Sequence, residues 1–332
     1  MDDLSTNQYL GYQQALTKTA YFQHKDPGYI KISGEDQQAF LQRQTSNNID
    51  RLSPQSCLVT VLTSPNGRIL DVLTVLAGEK MLGILTLPGQ GEKTFEFLRS
   101  RIFFMDKVTL EDASSRVTQI DLLGPESTQV IQLWGVEHVD DRDRLHKIKV
   151  NETPVQVLQQ RNFGYRILAP IESTGEIISE LQSMGVPALN FESYQLLRIE
   201  AGVPTAGHEL TEEYTPLETG YHWAVSADKG CYTGQEVLAR QVNYDKITRQ
   251  MVGLSLSTIA DIGDTLYPLD KDQPIGKITS AAVSPRFGPI ALAIVKRDYN
   301  QPGGKLRVGA DASGMHASIA QIPFQEHNPP AK

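Results

Sequence analysis

The sequence predicts an α+β protein, and three observations lead to that class. Residues 57–87 run C-L-V-T-V-L-T-S-P-N-G-R-I-L-D-V-L-T-V-L-A-G-E-K-M-L-G-I-L-T-L. The P-N-G and A-G-E-K turns divide them into three β-rich runs, the pattern of an antiparallel meander. Stretches with capping residues and clustered apolar positions lie to either side, and read as helices. No regular alternation of strand and helix is present, so a parallel sheet is not indicated.

Taken in chain order, I-S-G-E-D-Q-Q-A-F-L-Q-R-Q at 32–44 places Ser33 and Asp36 ahead of an apolar patch, Ala39, Phe40 and Leu41. This predicts a capped amphipathic helix. After the meander a helix is expected over about Glu92–Arg101, then a strand near Val108. Asn190 is an N-cap candidate for N-F-E-S-Y-Q-L-L-R-I-E, with Leu196, Leu197 and Ile199 as the apolar face and Gly202 and Pro204 as stop signals. Beyond residue 250 the texture changes to short runs, M-V-G-L-S-L, G-K-I-T-S-A-A-V, P-I-A-L-A-I-V, K-L-R-V and A-S-I-A-Q-I. Gly, Pro and Asp punctuate them closely, which predicts a separate small barrel or sandwich. The final E-H-N-P-P-A-K reads as a frayed tail.

Composition excludes several function classes. With 332 residues, 40% hydrophobic and 21% charged, the chain can bury a sizeable core and form two or three domains, or one unusually large one. A net charge of −8 argues against a general nucleic-acid or anionic-membrane binder. No apolar run approaches the roughly 20 residues that span a bilayer. The start, M-D-D-L-S-T-N, has neither the basic nor the apolar region of an export signal. A soluble cytoplasmic protein, with no membrane or direct nucleic-acid partner, is expected; nothing in the sequence demands more than a monomer.

Two cysteines cannot build a disulfide framework, and cytosolic thiols are kept reduced. Cys57 opens an apolar run and reads as a small buried hydrophobe. The histidines show no H-x-x-H or H-E-x-x-H spacing, so no metal site is predicted. P-G-Q-G-E-K-T at 88–94 is a turn before a helix, since Glu92 interrupts the Gly-Lys-Ser/Thr order that a phosphate loop needs. Neither a G-x-S-x-G elbow nor a dinucleotide-binding G-x-G-x-x-G after a strand is found.

Three residues draw a chemical reading. Cys231 lies in D-K-G-C-Y-T-G-Q-E at 228–236, between two glycines. Thr233 and Glu236 form a capping-box pattern, which places Cys231 two residues before a helix N-cap and close to Lys229. Both neighbours favour a thiolate, the nucleophilic and metal-ligating form, and Gly230 and Gly234 allow a sharp turn that exposes the sulfur. A tight turn that happens to contain cysteine is the other reading, and local physics leaves the two open. Glu200 falls in the last turn of its helix, where the macrodipole disfavours a carboxylate; solvent exposure or pairing with Arg198 or another cation would account for it. Asp71, in the apolar strand I-L-D-V-L, faces outward if the alternation is simple.

The residues also resemble a known family. K-G-C-Y-T-G-Q-E at 229–236 is similar to the signature of the YgfZ proteins, folate-binding relatives of the glycine cleavage T-protein. The resemblance covers nearly the whole chain. I-S-G-E-D-Q-Q-A-F-L-Q-R-Q-T-S-N-N-I at 32–49 is similar to that family's N-terminal segment. L-R-I-E-A-G-V-P-T-A-G-H-E-L at 197–210 matches a stretch shared with T-proteins, and I-T-S-A-A-V-S-P-R-F-G-P-I-A-L-A at 278–293 resembles their C-terminal segment.

The resemblance implies two interleaved antiparallel α+β subdomains around a central folate channel over residues 15–245, with a C-terminal β-barrel over 246–325. It implies tetrahydrofolate or a folate derivative as cofactor, held by Glu200, at the position of the T-protein glutamate that contacts the pterin, together with Asp71 and Tyr165 of F-G-Y-R-I-L. Cys231, supported by Lys229, would be the working group. The chain departs from T-proteins in two respects. Their paired aspartates align with Leu70 and Asp71, and leucine cannot orient an amine or accept its proton. They also lack the cysteine. Asn48 stands where the family motif has aspartate. The implied function is a folate-binding accessory protein for iron–sulfur cluster assembly or repair, serving 4Fe–4S client enzymes or assembly factors, and through them tRNA modification. The alternatives are a folate-dependent aminomethyltransferase-like C1 transferase and a partner-binding protein in which pocket and cysteine are relics. Two cysteines are too few to hold a cluster alone, since about four ligands are usual.

Overall fold

A computed structural model describes residues 9–137, 139, 142–310 and 315–325; the acidic start and the final E-H-N-P-P-A-K lie outside the described residues. The chain divides into two compact units. The first comprises residues 1–62, 71–194 and 228–232, and the second 63–70, 195–227 and 233–332.

The first unit holds two five-stranded sheets that the chain builds in interleaved order. After helix α1 (Leu10–Thr17), strand β1 (Ala20–Gln23) joins the first sheet. The chain then leaves to form the second sheet from β2 (Tyr29–Ser33), β3 (Cys57–Thr63), β4 (Ile69–Ala77), β5 (Met81–Leu85) and β6 (Thr109–Asp112), in spatial order β3-β4-β5-β2-β6. It returns to complete the first sheet with β7 (Val117–Leu123), β8 (Leu145–Val150), β9 (Thr153–Gln159) and β10 (Tyr165–Pro170), in order β1-β7-β10-β9-β8. The meander predicted at 57–87 is β3, β4 and β5.

Strand parity decides what each face carries. Ile120, Leu122, Val155, Val157, Tyr165 and Ile167 point to one face of the first sheet. There they pack on Val130 and Ile131 of α4 (Ser127–Leu133) and Ile177 and Leu181 of α5 (Thr174–Ser183). The opposite parity sends Leu145, Leu158 and Leu168 against Cys57, Leu76 and Leu85 of the second sheet. The two sheets thus meet face to face over an apolar layer whose burial stabilises the unit.

Helix α2 (Gln37–Gln44) forms where expected, but its start differs. Ser33 ends strand β2, and the cap residue Asp36 makes no side-chain cap bond, because its carboxylate accepts the Lys107 N–H at 2.9 Å. Phe40 and Leu41 are buried and Ala39 is exposed. The helix expected at 92–101 is α3 (Gly91–Ser100), preceded by a turn at Gly89. Helix α6 (Phe191–Glu200) begins as read, with Asn190 Oδ1 accepting the Ser193 N–H at 2.8 Å, and its tail unwinds at Gly202, φ +67°.

The second unit is dominated by a closed six-stranded barrel, so the choice between barrel and sandwich is resolved. Its strands are β11 (Arg249–Leu256), β12 (Thr265–Pro268), β13 (Gly276–Ser284), β14 (Gly288–Lys296), β15 (Lys305–Val308) and β16 (Met315–Ala320), arranged β11-β14-β13-β12-β15-β16. Leu254, Leu266, Ile278, Ala291, Ala293 and Val295 fill its interior. Closure leaves no free edge to aggregate. A register shift between Ile278 and Ser280 bends β13. Helix α7 (Gln235–Asn243) precedes the barrel.

Candidate functional site

In the first unit, Asp71 sits on β4 with no exposed surface, so the simple alternation that would face it outward does not hold. The carboxylate is instead enclosed by donors. Oδ1 accepts the Val72 N–H at 2.8 Å and the Leu87 N–H at 3.2 Å, and Oδ2 accepts the Thr94 hydroxyl of α3 at 2.6 Å. Burial pushes its pKa up to about 7, against the opposing pull of these three bonds and of Lys93. Asp71 can therefore hold or release a proton close to neutral pH.

Tyr165 opens β10 and points into the helix-covered core, where it is 4% exposed and its hydroxyl lies 2.9 Å from Thr128 Oγ1 of α4. The strand's parity turns the next residue, Arg166, to the other face. There Arg166 meets Asp121 of β7, its partner across the ladder. Arg166 Nε and Nη2 donate to Oδ1 and Oδ2 at 2.7 and 2.9 Å, His24 Nε2 lies 2.8 Å from Oδ2, and the Tyr194 hydroxyl donates to Oδ2 at 2.8 Å. Burial alone would raise the Asp121 pKa, but Arg166 and His24 overcome it and hold the carboxyl well below the usual range. Phe22 stacks on Tyr194 at 4.0 Å between centroids. This fixed anion with its aromatic flank was not singled out from the sequence. Its signal was Q-I-D-L-L at 119–123, a second aspartate in an apolar strand.

Lys229 is 8% exposed, and its ammonium donates to the carbonyls of Gln42, Thr45 and Asn47 at 2.7, 2.5 and 2.7 Å. Three donors thus meet three acceptors at the end of α2. Burial lowers its pKa to about 8, with Asp50 opposing. Cys231 is exposed and Cys57 buried, and neither forms a disulfide. The capping box expected at Thr233 does not form. Gly234 is the N-cap of α7, at φ +84°, and the Thr233 carbonyl accepts the Thr63 hydroxyl at 2.6 Å. Cys231 therefore precedes the cap by three residues rather than two. Gly234 is required, since an added Cβ would lie 2.6 Å from Ser64 O, whereas one on Gly230 would meet nothing within 4 Å.

Glu200 belongs to the second unit, at the end of α6 and 5% exposed. The Ser284 hydroxyl at the end of β13 donates to Oε1 at 2.6 Å, and Arg286 Nη1 stands 3.7 Å from Oε2. The cation that offsets its place at a helix C-terminus is thus Arg286. Arg198 pairs elsewhere, with Glu209 at 3.2 Å, and donates to Ser280 Oγ at 2.8 Å. The Thr279 and Ser280 hydroxyls also donate to Glu209, at 2.7 and 2.5 Å. The segments 197–210 and 278–293, read separately in the sequence, are thereby wired together through buried polar groups. A carboxylate accepts up to about four hydrogen bonds. The Glu200 carboxylate is a buried acceptor with the Ser284 hydroxyl and Arg286 beside it.

No group of three or more His, Cys, Asp or Glu side chains suited to a metal occurs among the described residues. No helix among them is long and apolar enough to cross a membrane.

Comparison with known proteins gives a consistent family. The GCVT N-terminal domain matches residues 12–229, and the glycine cleavage T-protein C-terminal barrel domain matches 249–325. A chloroplastic Arabidopsis thaliana protein named "Putative transferase" is 28% identical over 92% of this chain and 71% of its own length. The aminomethyltransferase of Listeria welshimeri is 27% identical over 94% of this chain and 88% of its own. The crystal structure of the glycine cleavage system aminomethyltransferase T from Bartonella henselae superposes with a TM-score of 0.83 at 19% identity, covering 95% of this chain and 89% of that one; it shares the fold. Interleaved sheets, a closed six-stranded barrel and two domain matches that together span most of the sequence agree: the chain belongs to the GCVT N-terminal domain family and carries the T-protein barrel domain behind it.

Proposed function

We propose that this protein is a tetrahydrofolate-binding accessory protein of the YgfZ type, which supports the assembly or repair of iron–sulfur enzymes and, through such clients, tRNA modification. The observation that carries the reading is Cys231, a free, exposed thiol in K-G-C-Y-T-G-Q-E. An exposed thiol can act as nucleophile, redox group or passing ligand to iron, and a buried structural cysteine cannot. Leu70, where T-proteins have their first aspartate, supports the same reading, because the position offers no proton acceptor. Residues 15–245 would form the folate-binding region, around a central channel, and 246–325 the barrel. Glu200 would hold the pterin, with Asp71 and Tyr165 as the further folate residues. Tetrahydrofolate would supply a one-carbon carrier and a reduced pterin. This chain's residues would bind and orient it, and Asp71 would hold a proton near neutral pH. The site of action would be the cytoplasm, with the protein a monomer.

Relatives named aminomethyltransferase support a second reading, direct transfer of a one-carbon unit to tetrahydrofolate. One experiment separates the two. The gene is deleted in its host and restored as wild type or Cys231→Ala at matched protein level. The readout is the specific activity of a 4Fe–4S dehydratase under oxidative stress. A Cys231→Ala strain that behaves like the deletion supports the accessory role. Robust formation of methylenetetrahydrofolate from an aminomethylated lipoyl carrier, surviving Cys231→Ala, would establish the transferase instead.

A further inference from the structure

The segment Asp228–Tyr232 belongs to the first unit, while the residues on either side of it belong to the second. Asp228, Gly230 and Cys231 are exposed, and a Cβ on Gly230 would touch nothing. Within the five residues only Lys229 and Tyr232 are buried, 8% exposed each. Of these two, the Lys229 side chain carries the hydrogen bonds that tie the segment to α2 and the turn beyond it.

The receiving end is rigid. Gln42 lies in the last turn of α2 and Thr45 is its C-cap, so their carbonyls are among those a helix leaves without partners. The turn beyond is tied to β3. Ser46 N–H donates to Val61 O at 2.9 Å, Asn47 N–H to Thr60 Oγ1 at 2.7 Å, and Asn47 Nδ2 to Val59 O at 2.7 Å. Three carbonyls fixed by a helix end and a strand converge on one point, and the Lys229 nitrogen occupies it. An ammonium fits such a point because its three N–H bonds diverge from a single atom, whereas a guanidinium presents a flat fork.

We propose that Lys229 is a positioning residue, a cationic clasp that fastens the Cys231 loop to the T-S-N turn after α2. Its consequence for chemistry rests on the reading of Cys231 above; its geometry does not. The two sequence motifs, K-G-C at 229–231 and T-S-N at 45–47, meet in this cage. Lys229 then serves the thiol by holding its backbone in place, with its own donors committed to carbonyls. Near the ammonium stand Asp50, whose charge favours the protonated amine, and the Tyr232 ring, 5.0 Å from Nζ. Burial pushes the Tyr232 phenol up to about 12, so it stays neutral while Lys229 discharges.

The test uses the full chain carrying a nitroxide on Cys231, with Cys231→Ala as the control that Cys57 takes no label. Electron spin resonance reads the mobility of the loop. Lys229→Ala is expected to shorten the rotational correlation time by about twofold or more. Propylammonium, which replaces the missing carbons and charge, restores it, and tetramethylammonium, which has no N–H, does not. In the wild type, raising the pH from about 7 to about 10 mobilises the label as the buried ammonium loses its proton. Unchanged mobility in Lys229→Ala, or equal rescue by both cations, overturns the proposal. If Lys229→Ala does not fold, the wild-type pH series decides, and a flat series overturns it. The label reports the clasp whether or not Cys231 does chemistry. A failed clasp thus stays distinct from a failed iron–sulfur role, which only the client-enzyme assay reads.

Discussion

Replacing Asp71 with asparagine should change the pH dependence of stability in a defined direction. Asp71 has a folded pKa of about 7 against a reference value of 3.8. Between those values the folded chain keeps a proton that the unfolded chain has lost. The stability this group contributes is therefore fully present below about pH 3.8, falls as the pH rises, and levels off above about pH 7. The slope in that window is about 1.4 kcal/mol per pH unit, so from about pH 5.5 to about pH 7 the wild type should lose ~2 kcal/mol through this residue. Asparagine copies the protonated form. Its Oδ1 can accept from Val72 and Leu87, and its amide can donate to the Thr94 oxygen, in place of the bond that now runs the other way. It also carries no titrating proton. Urea unfolding of both proteins from about pH 5.5 to about pH 8.5 gives the difference in stability at each pH, and groups common to both cancel. The variant should gain on the wild type by ~2 kcal/mol between about pH 5.5 and about pH 7, and by no more above that. A difference that is constant with pH would mean that Asp71 is ionised throughout, and the burial argument would fail.

Four further outcomes follow from named contacts. Asp121→Asn removes the fully buried charge that Arg166 pairs with and should cost about 3 kcal/mol or more, seen as a large fall in Tm; a loss under about 1 kcal/mol would refute the ion network's role. Gly234→Ala should cost about 1–3 kcal/mol through its left-handed backbone and the contact with Ser64 O, while Gly230→Ala stays within about 0.5 kcal/mol; similar denaturation midpoints for the two would contradict this. Glu200→Gln should weaken tetrahydrofolate binding by about 10–100-fold, the worth of a hydrogen bond to a charged group; titration calorimetry showing equal affinity removes Glu200 from the proposed site. Tyr165→Phe should lose about 1 kcal/mol of stability with its Thr128 bond; the same titration shows whether Tyr165 also serves folate.

Much of the fold was legible because its signals are local. The meander carries its own turns, P-N-G and A-G-E-K, between runs too β-rich to be helices. The start of α6 is written in Asn190, and the barrel in evenly punctuated short strands. The order of assembly, which the family resemblance implied as interleaved subdomains, has no local signal of its own. The sequence says nothing direct about β1 pairing with β7, Ala20 opposite Leu123, across a stretch that itself builds a complete second sheet. That pairing is a tertiary outcome, selected by burial of two faces rather than by any turn. The failed caps have the same origin. Asp36 and Thr233 both have side chains suited to capping, but a distant partner takes a hydrogen bond that local chemistry would assign elsewhere: Lys107 N–H at Asp36, and the Thr63 hydroxyl on the Thr233 carbonyl.

The candidate site shows how finely such reading must be cut. F-G-Y-R-I-L leads into β10, where strand parity puts Tyr165 in the helix-covered core and Arg166 on Asp121. A motif of six residues fixes a strand without saying which alternate set faces the other sheet. That choice becomes readable only against a second strand, where Ile120 and Leu122 declare the core face and Asp121 the other. The same logic separates the two strand aspartates. Asp121 is held by the Arg166 guanidinium, with His24 beside it, and stays ionised; Asp71 has only neutral donors in hydrogen-bond contact and a more distant Lys93, and its proton stays until near neutral pH. Identical residue types in similar apolar strands thus acquire opposite chemistry from their partners, first among them the arginine across the ladder from Asp121.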